Sequence, residues 1–195
     1  ILIVDFGSQV TQLIARQVRE LGVYCELINF KKFNKIKILN KNIKGIILSG
    51  GPKSTLSKSA PNIKWKLFLN KLPLLGICYG HQLVANICGG KTKYSNKKEF
   101  GSAELIEKKK SKLTEGFFIN KKNTVWMSHS DSVIIKPKNF NVIASSKNSK
   151  FAILESKSKK IFTTQFHPEV FHTKNGKKLF SLSLIHISEP TRPSQ

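Results

Sequence analysis

Cys78 stands between Gly76 and Gly80 in the stretch Gly76-Ile77-Cys78-Tyr79-Gly80-His81-Gln82, directly after the apolar run Leu72-Pro73-Leu74-Leu75. A glycine two residues to either side of a nucleophile suits a strained strand-to-helix turn, where backbone passes close on both sides and a larger residue would crowd it. A thiol at the start of that helix meets unpaired N–H groups and the positive end of the helix dipole, which favours thiolate over thiol. The same N–H groups can receive a developing oxyanion. A cysteine between a buried strand and a helix also serves as ordinary core filling, so this spacing alone does not decide for chemistry.

The second half of the chemistry lies at Thr164-Gln165-Phe166-His167-Pro168-Glu169. Pro168 biases His167 toward extended backbone, so His167 and Glu169, two residues apart, project to the same side of the chain. A carboxylate can then hold and polarise an imidazole that faces a thiol, as nucleophilic acyl transfer by a Cys-His-acid set requires. His172 and His186 have no such company and read as surface or core histidines. Cys78, His81 and Cys88 have the wrong partners and spacing for zinc, and no metal site is expected.

With both motifs in hand, the chain resembles the class I glutamine amidotransferases from Ile1 to about Phe180. Its finer signatures resemble the GMP-synthase-type amidotransferase domains: Val4-Asp5-Phe6-Gly7-Ser8-Gln9, Leu48-Ser49-Gly50-Gly51-Pro52, Cys78-Tyr79-Gly80, Trp126-Met127-Ser128-His129, and His167-Pro168-Glu169-Val170 followed by His172-Thr173. Anthranilate-type and carbamoyl-phosphate-type relatives usually carry Leu where this chain has Tyr79, and they lack the Asp-Phe-Gly-Ser-Gln opening. The resemblance implies that Cys78 attacks the side-chain amide of glutamine, His167 moves a proton to the leaving ammonia, and Glu169 orients His167. A glutamyl thioester would form and be hydrolysed to glutamate. It further implies oxyanion donors in the backbone N–H groups of Gly51 and Tyr79, and substrate contacts from Gln82, Ser128 and His129. Ser130 stands where many members have Gly, so a position demanding φ > 0 or close approach would lower substrate affinity here.

The resemblance also implies an ammonia supply for converting xanthosine monophosphate to GMP in purine nucleotide biosynthesis. This domain would need no cofactor, whereas ATP and Mg would belong to an ATP-pyrophosphatase (synthase) partner, present as a separate subunit or as a further domain. Ser49-Gly50-Gly51 matches the start of that partner family's Ser-Gly-Gly-Val-Asp-Ser phosphate loop, but Pro52-Lys53 replaces Val-Asp. The stretch is therefore read as the oxyanion turn, and the synthase half is expected elsewhere. Alternatives are another class I amidotransferase, a gamma-glutamyl hydrolase, or a catalytically silent binding or regulatory module. Loss of a triad residue would favour the last, and none is lost.

The elements that must position these residues read as α/β, a mostly parallel central sheet covered by helices with a smaller antiparallel region toward the C-terminus. Ile1 to Val4 is apolar without alternation and ends at turn residues, as a buried strand does. Val10, Leu13, Ile14, Val18 and Leu21 recur at helical spacing, with Ser8 as the expected N-cap and Gly22 just past the end. Val23 to Ile28, Gly45 to Ser49 and Leu72 to Cys78 supply further strands. Val142 to Ser145, Phe151 to Glu155 and Lys160 to Phe166 read as shorter strands joined by polar turns.

The 195 residues suit one domain, with no repeat, no signal-peptide pattern and no apolar run able to span a bilayer. The absent initiator Met reads as a fragment. Residues 181–195 depart abruptly from the resemblance and look like a non-native, translated adapter tail. Three cysteines cannot all pair, and Cys78 must stay reduced to act, so a cytoplasmic location is expected. The formal net charge of +23 raises the question of nucleic acid. The lysines are scattered among Asn and Ile with few arginines, as an AT-rich coding sequence would give, and no nucleic-acid-binding motif is present. Neither nucleic acid nor membrane is expected as a partner.

Overall fold

The computed structural model describes residues 1–34, 42–65, 68–158 and 160–188. Its framework is nine strands and four helices in chain order. These are β1 (Leu2–Asp5), α1 (Thr11–Glu20), β2 (Glu26–Asn29), α2 (Phe30–Phe33), β3 (Ile46–Leu48), β4 (Leu74–Ile77) and α3 (Tyr79–Ile87). There follow β5 (Lys91–Glu107), β6 (Lys122–Ile135), β7 (Asn141–Ser145), β8 (Ile153–Ser156), β9 (Ile161–Thr164) and α4 (Gly176–Ser188).

All nine strands form one sheet in the order β2-β1-β3-β4-β9-β8-β7-β5-β6. From β2 to β9 the pairing is parallel, and from β9 to β6 it is antiparallel. The expected α/β architecture and the antiparallel C-terminal strands are therefore present. Side-chain alternation along the unbroken apolar strands feeds two cores. Ile3, Ile47 and Leu75 pack with Ile14, Ala15 and Val18 of α1 and Leu179 and Phe180 of α4 on one face. Leu2, Val4, Ile46, Leu48 and Leu74 pack with Phe33, Leu83 and Val84 on the other. Coverage on both faces explains why these strands carry no polar alternation.

The opening turn differs from the sequence reading. α1 begins at Thr11, and Ser8 makes a turn ahead of the helix: its Oγ accepts from the Val10 N–H at 3.3 Å. The Asp5 carboxylate holds this turn, accepting from the Gly7 N–H and the Thr11 hydroxyl, each at 2.8 Å. Leu13 lies outside the buried stripe, which is Thr11, Ile14, Ala15 and Val18. Gly22, at φ +76°, closes the helix as expected, its N–H donating to Arg19 O. The limit expected at residue 180 falls inside α4, where Leu184 packs into the core. Residues 189–195 of the expected tail and the side chain of His186 lie outside the described residues. No helix among the described residues is long and apolar enough to cross a membrane.

The largest feature absent from the sequence reading is the hairpin of β5 and β6, whose ladder runs from Lys91 opposite Ile135 to Ile106 opposite Lys122. Its register shifts between Tyr94 and Glu99, and residues beside the shift, Tyr94 and Phe100, line a cavity with Cys78 at the carboxyl end of β4. Such strand ends are where open α/β sheets place their sites.

Candidate active site

β4 and β9 lie side by side in parallel, with Ile77 opposite Thr164. Each chain leaves its strand one residue later, so Cys78 and Gln165 emerge together and His167 follows two residues on. The Cys78 N–H donates to Thr164 O at 2.8 Å, which ties the two exits. Cys78 itself has φ 51° and ψ −100°, a sparsely populated region that costs of order 1–3 kcal/mol and points the thiol out of the turn. The flanking glycines are required. A Cβ on Gly80 would lie 2.6 Å from Leu48 O, and one on Gly76 would lie 2.9 Å from Gly80 O.

Cys78, His167 and Glu169 lie together at these strand exits. Nδ1 of His167 donates to Glu169 Oε1 at 2.7 Å, with both side chains buried. Burial alone would lower the imidazole pKa, but the charge and hydrogen bond of Cys78, with those of Glu169, outweigh it. The His167 pKa therefore lies well above its ordinary value. An imidazolium held by a carboxylate beside the Cys78 sulfur is the state that can protonate a leaving amine. The supporting contacts are backbone and long-range: Thr173 Oγ1 donates to His167 O at 2.6 Å, and Gln17 of α1 donates to Glu169 O at 2.9 Å. Gly50 leaves room for the ring, since a Cβ there would stand 3.0 Å from His167 Cε1.

Gly51 and Tyr79, the expected oxyanion pair, lie on the wall of the cavity that Cys78 lines. Neither backbone N–H donates to another group among the described residues. The Tyr79 side chain points away into the core, tilted on Phe6 with its hydroxyl donating to Pro61 O. Burial pushes that phenol up to about 12.

The cavity has a volume of about 320 Å³ and is walled on its far side by the hairpin. Gln82, Ser128 and His129 all line it, together with Ser130 and Asp131. The Cys78 thiol donates to Ser128 O at 3.5 Å. His129 is held on both nitrogens, Nδ1 donating to Asp131 O at 2.9 Å and Nε2 lying 3.1 Å from Glu99 Oε2. Burial would raise the Glu99 pKa, yet hydrogen bonds from His129 and Ser146 and the His129 charge bring it below the ordinary value. Ser130 lies outside the left-handed region, so a side chain at this position imposes no backbone strain.

Two residues escaped the sequence reading. Asp131 is 3% exposed, its Oδ2 accepts from Ser54 Oγ, and its buried Oδ1 has no hydrogen-bond partner. It follows the Trp126-Met127-Ser128-His129 motif by two residues, which was its only signal. Glu99 had none, since its partner lies 30 residues away. Among the described residues no cluster of His, Cys, Asp and Glu has the form of a metal site.

The family model "Glutamine amidotransferase class-I" matches residues 2–187. Among curated proteins, GMP synthase [glutamine-hydrolyzing] of Agrobacterium fabrum is 48% identical over 188 residues, covering 95% of this chain and 35% of that protein. The same-named protein of Fusobacterium nucleatum is 48% identical over 177 residues, 90% of this chain and 34% of its own length. The chain thus spans about a third of the length of these relatives. Among solved structures, a protein described as a GMP synthase subunit from Thermoplasma acidophilum superposes with a TM-score of 0.79 at 30% identity, covering 96% of this chain and 92% of that one. A glutamine amidotransferase from Thermotoga maritima shares the fold, with a TM-score of 0.78 at 17% identity over 96% of this chain and 97% of its own. This chain is a member of the class-I glutamine amidotransferase family.

Proposed function

We propose that Cys78, His167 and Glu169 hydrolyse glutamine to glutamate and ammonia, and that the ammonia serves a GMP synthase reaction. Cys78 Sγ adds to the side-chain carbonyl carbon, and the oxygen becomes an anion received by the Gly51 and Tyr79 N–H groups. His167 passes its proton to the departing nitrogen, the C–N bond breaks, and ammonia leaves a thioester. Water then adds to the thioester carbon with His167 taking its proton, and the C–S bond breaks with its electron pair returning to sulfur. The observation that carries this reading is the 2.7 Å His167–Glu169 bond on an imidazole that also engages Cys78.

In the cavity, the unpartnered Asp131 Oδ1 offers a counter-charge for the substrate's α-ammonium. Ammonia consumption by an ATP- and Mg-dependent synthase acting on xanthosine monophosphate is supported by the resemblance to GMP synthases. That reaction would take place on a partner subunit or domain. The nucleophilic thiolate requires a reducing compartment, so the proposed location is cytoplasmic.

Incubation with a diazo-ketone glutamine analogue, followed by intact-mass and peptide mass spectrometry, tests the reading. One adduct on Cys78, blocked by glutamine, is the expected result. Absence of label, alone and with a synthase part, ATP and xanthosine monophosphate added, would refute it.

A further inference from the structure

Gln165 sits beside the nucleophile because of the register between β4 and β9. It is 0% exposed, and its Nε2 lies 3.9 Å from Cys78 Sγ. A side-chain amide can turn either its N–H or its carbonyl toward a neighbour, with opposite electrostatic effects on a sulfur anion. Only the surrounding hydrogen-bond network decides which.

Here the network has a fixed starting point. The Asp131 backbone carbonyl can only accept, and Gln82 Nε2 lies 2.8 Å from it, which sets the Gln82 amide. The same nitrogen lies 3.2 Å from the Gln165 side chain. Two facing NH2 groups would repel, so Gln165 must turn Oε1 toward Gln82, which leaves its Nε2 for the sulfur. We propose that Gln165 is a further catalytic residue, donating a hydrogen bond to Cys78 Sγ from an orientation locked by the Asp131 carbonyl through Gln82.

The donor matters when sulfur carries negative charge, because hydrogen bonds to ionised acceptors are the stronger ones. That charge is present on the thiolate before attack. It returns when the C–S bond of the hydrated thioester breaks and its electron pair goes back to sulfur. A second consequence concerns Gln82. Both its N–H groups are spent inside the protein, so it meets the substrate with Oε1, as an acceptor.

The inference rests on reading Cys78 as the nucleophile, and one experiment separates the two. The rate of Cys78 alkylation by iodoacetamide is followed by intact mass across pH for wild type, Gln165→Met, Gln82→Met and the double variant. Loss of the donor in Gln165→Met should move the half-maximal pH upward by about one unit, a tenfold slower reaction below the midpoint. Gln82→Met frees the Gln165 amide to rotate and should move the profile part of the way, and the double variant no further than Gln165→Met. An unmoved profile in folded Gln165→Met overturns the proposal. Should that variant fail to fold, the Gln82→Met profile decides: a shift supports the relay and no shift overturns it. A wild-type Cys78 inert to iodoacetamide at every pH would overturn both readings.

Discussion

Two buried His–carboxylate pairs flank Cys78, and they are built in opposite ways. His167 and Glu169 are two residues apart on one loop, 2.7 Å between ring and carboxylate, and the ring faces the thiol. His129 and Glu99 belong to two strands of the hairpin, 30 residues apart and 3.1 Å between ring and carboxylate, and Ser146 from a third element holds the carboxylate at 2.8 Å. The first pair has few alternatives to its geometry, because the chain itself imposes it. The second exists only when β5, β6 and the turn after β7 are assembled. Proton transfer needs a geometry fixed by local chain, whereas a binding wall can be held by tertiary structure and can couple substrate affinity to the hairpin.

If that division holds, damage to the two pairs should separate in the kinetics. Cys78→Ala should lower glutaminase kcat by at least about 10⁴-fold with an unchanged circular dichroism spectrum, and His167→Ala nearly as much. Comparable hydrolysis by Cys78→Ala and wild type would end the mechanism. Glu169→Gln, which keeps the shape but not the charge, should leave weak turnover, about 10³-fold down in kcat with KM little changed. Glu99→Gln should do the reverse, raising KM about tenfold while kcat falls less. A kcat-only loss in Glu99→Gln would dissolve the distinction between the pairs.

The pH behaviour sharpens it further. The His167 pKa lies well above the ordinary value of 6.5, so its proton stays available to the leaving ammonia until pH climbs through that raised value. The alkaline limb of kcat should therefore lie above pH 6.5, and Glu169→Gln should bring it down. Glu99, with its pKa lowered, contributes stability above the ordinary carboxylate range that disappears as pH falls through its folded value.

A third histidine bears on stability and not on turnover. His81 is fully buried with Nδ1 2.8 Å from Thr163 Oγ1, and burial first, then the His129 charge, pushes its pKa down to about 3. Below pH 6.5 the unfolded chain binds a proton that the folded chain refuses. Stability should therefore fall by about 2 kcal/mol between about pH 7.5 and 5 on this account. His81→Asn should show a shallower drop in urea midpoint over the same interval, and an equal drop would remove His81 as the cause.

The same contrast governs what could be read before folding. The parallel half was legible because β1, β3 and β4 are short, largely apolar runs that end at turn residues or at Cys78, and the elbow and His-Pro-Glu segment carry their geometry in local spacing. The proposed site shares that legibility at Cys78, His167 and Glu169. The hairpin was not legible. β5 alternates through lysines and serines with a bulge in the middle, and its pairing partners lie across the Lys108 to Lys121 connection. Glu99 and the long-range support from Gln17 have no local signature at all. Ser8 failed as a cap because the Asp5 carboxylate, invisible as a turn-holder in the sequence, delays the helix to Thr11.

The strained backbone of Cys78 bears on how the sequence drifts. At φ 51° the fold itself would prefer glycine, which relieves about 1 kcal/mol or more of strain and removes only one small side chain. A Cys78→Gly chain should therefore fold at least as stably as the native one while unable to use glutamine. Selection for stability alone would erase the nucleophile, and only continued demand for its chemistry keeps sulfur at that position.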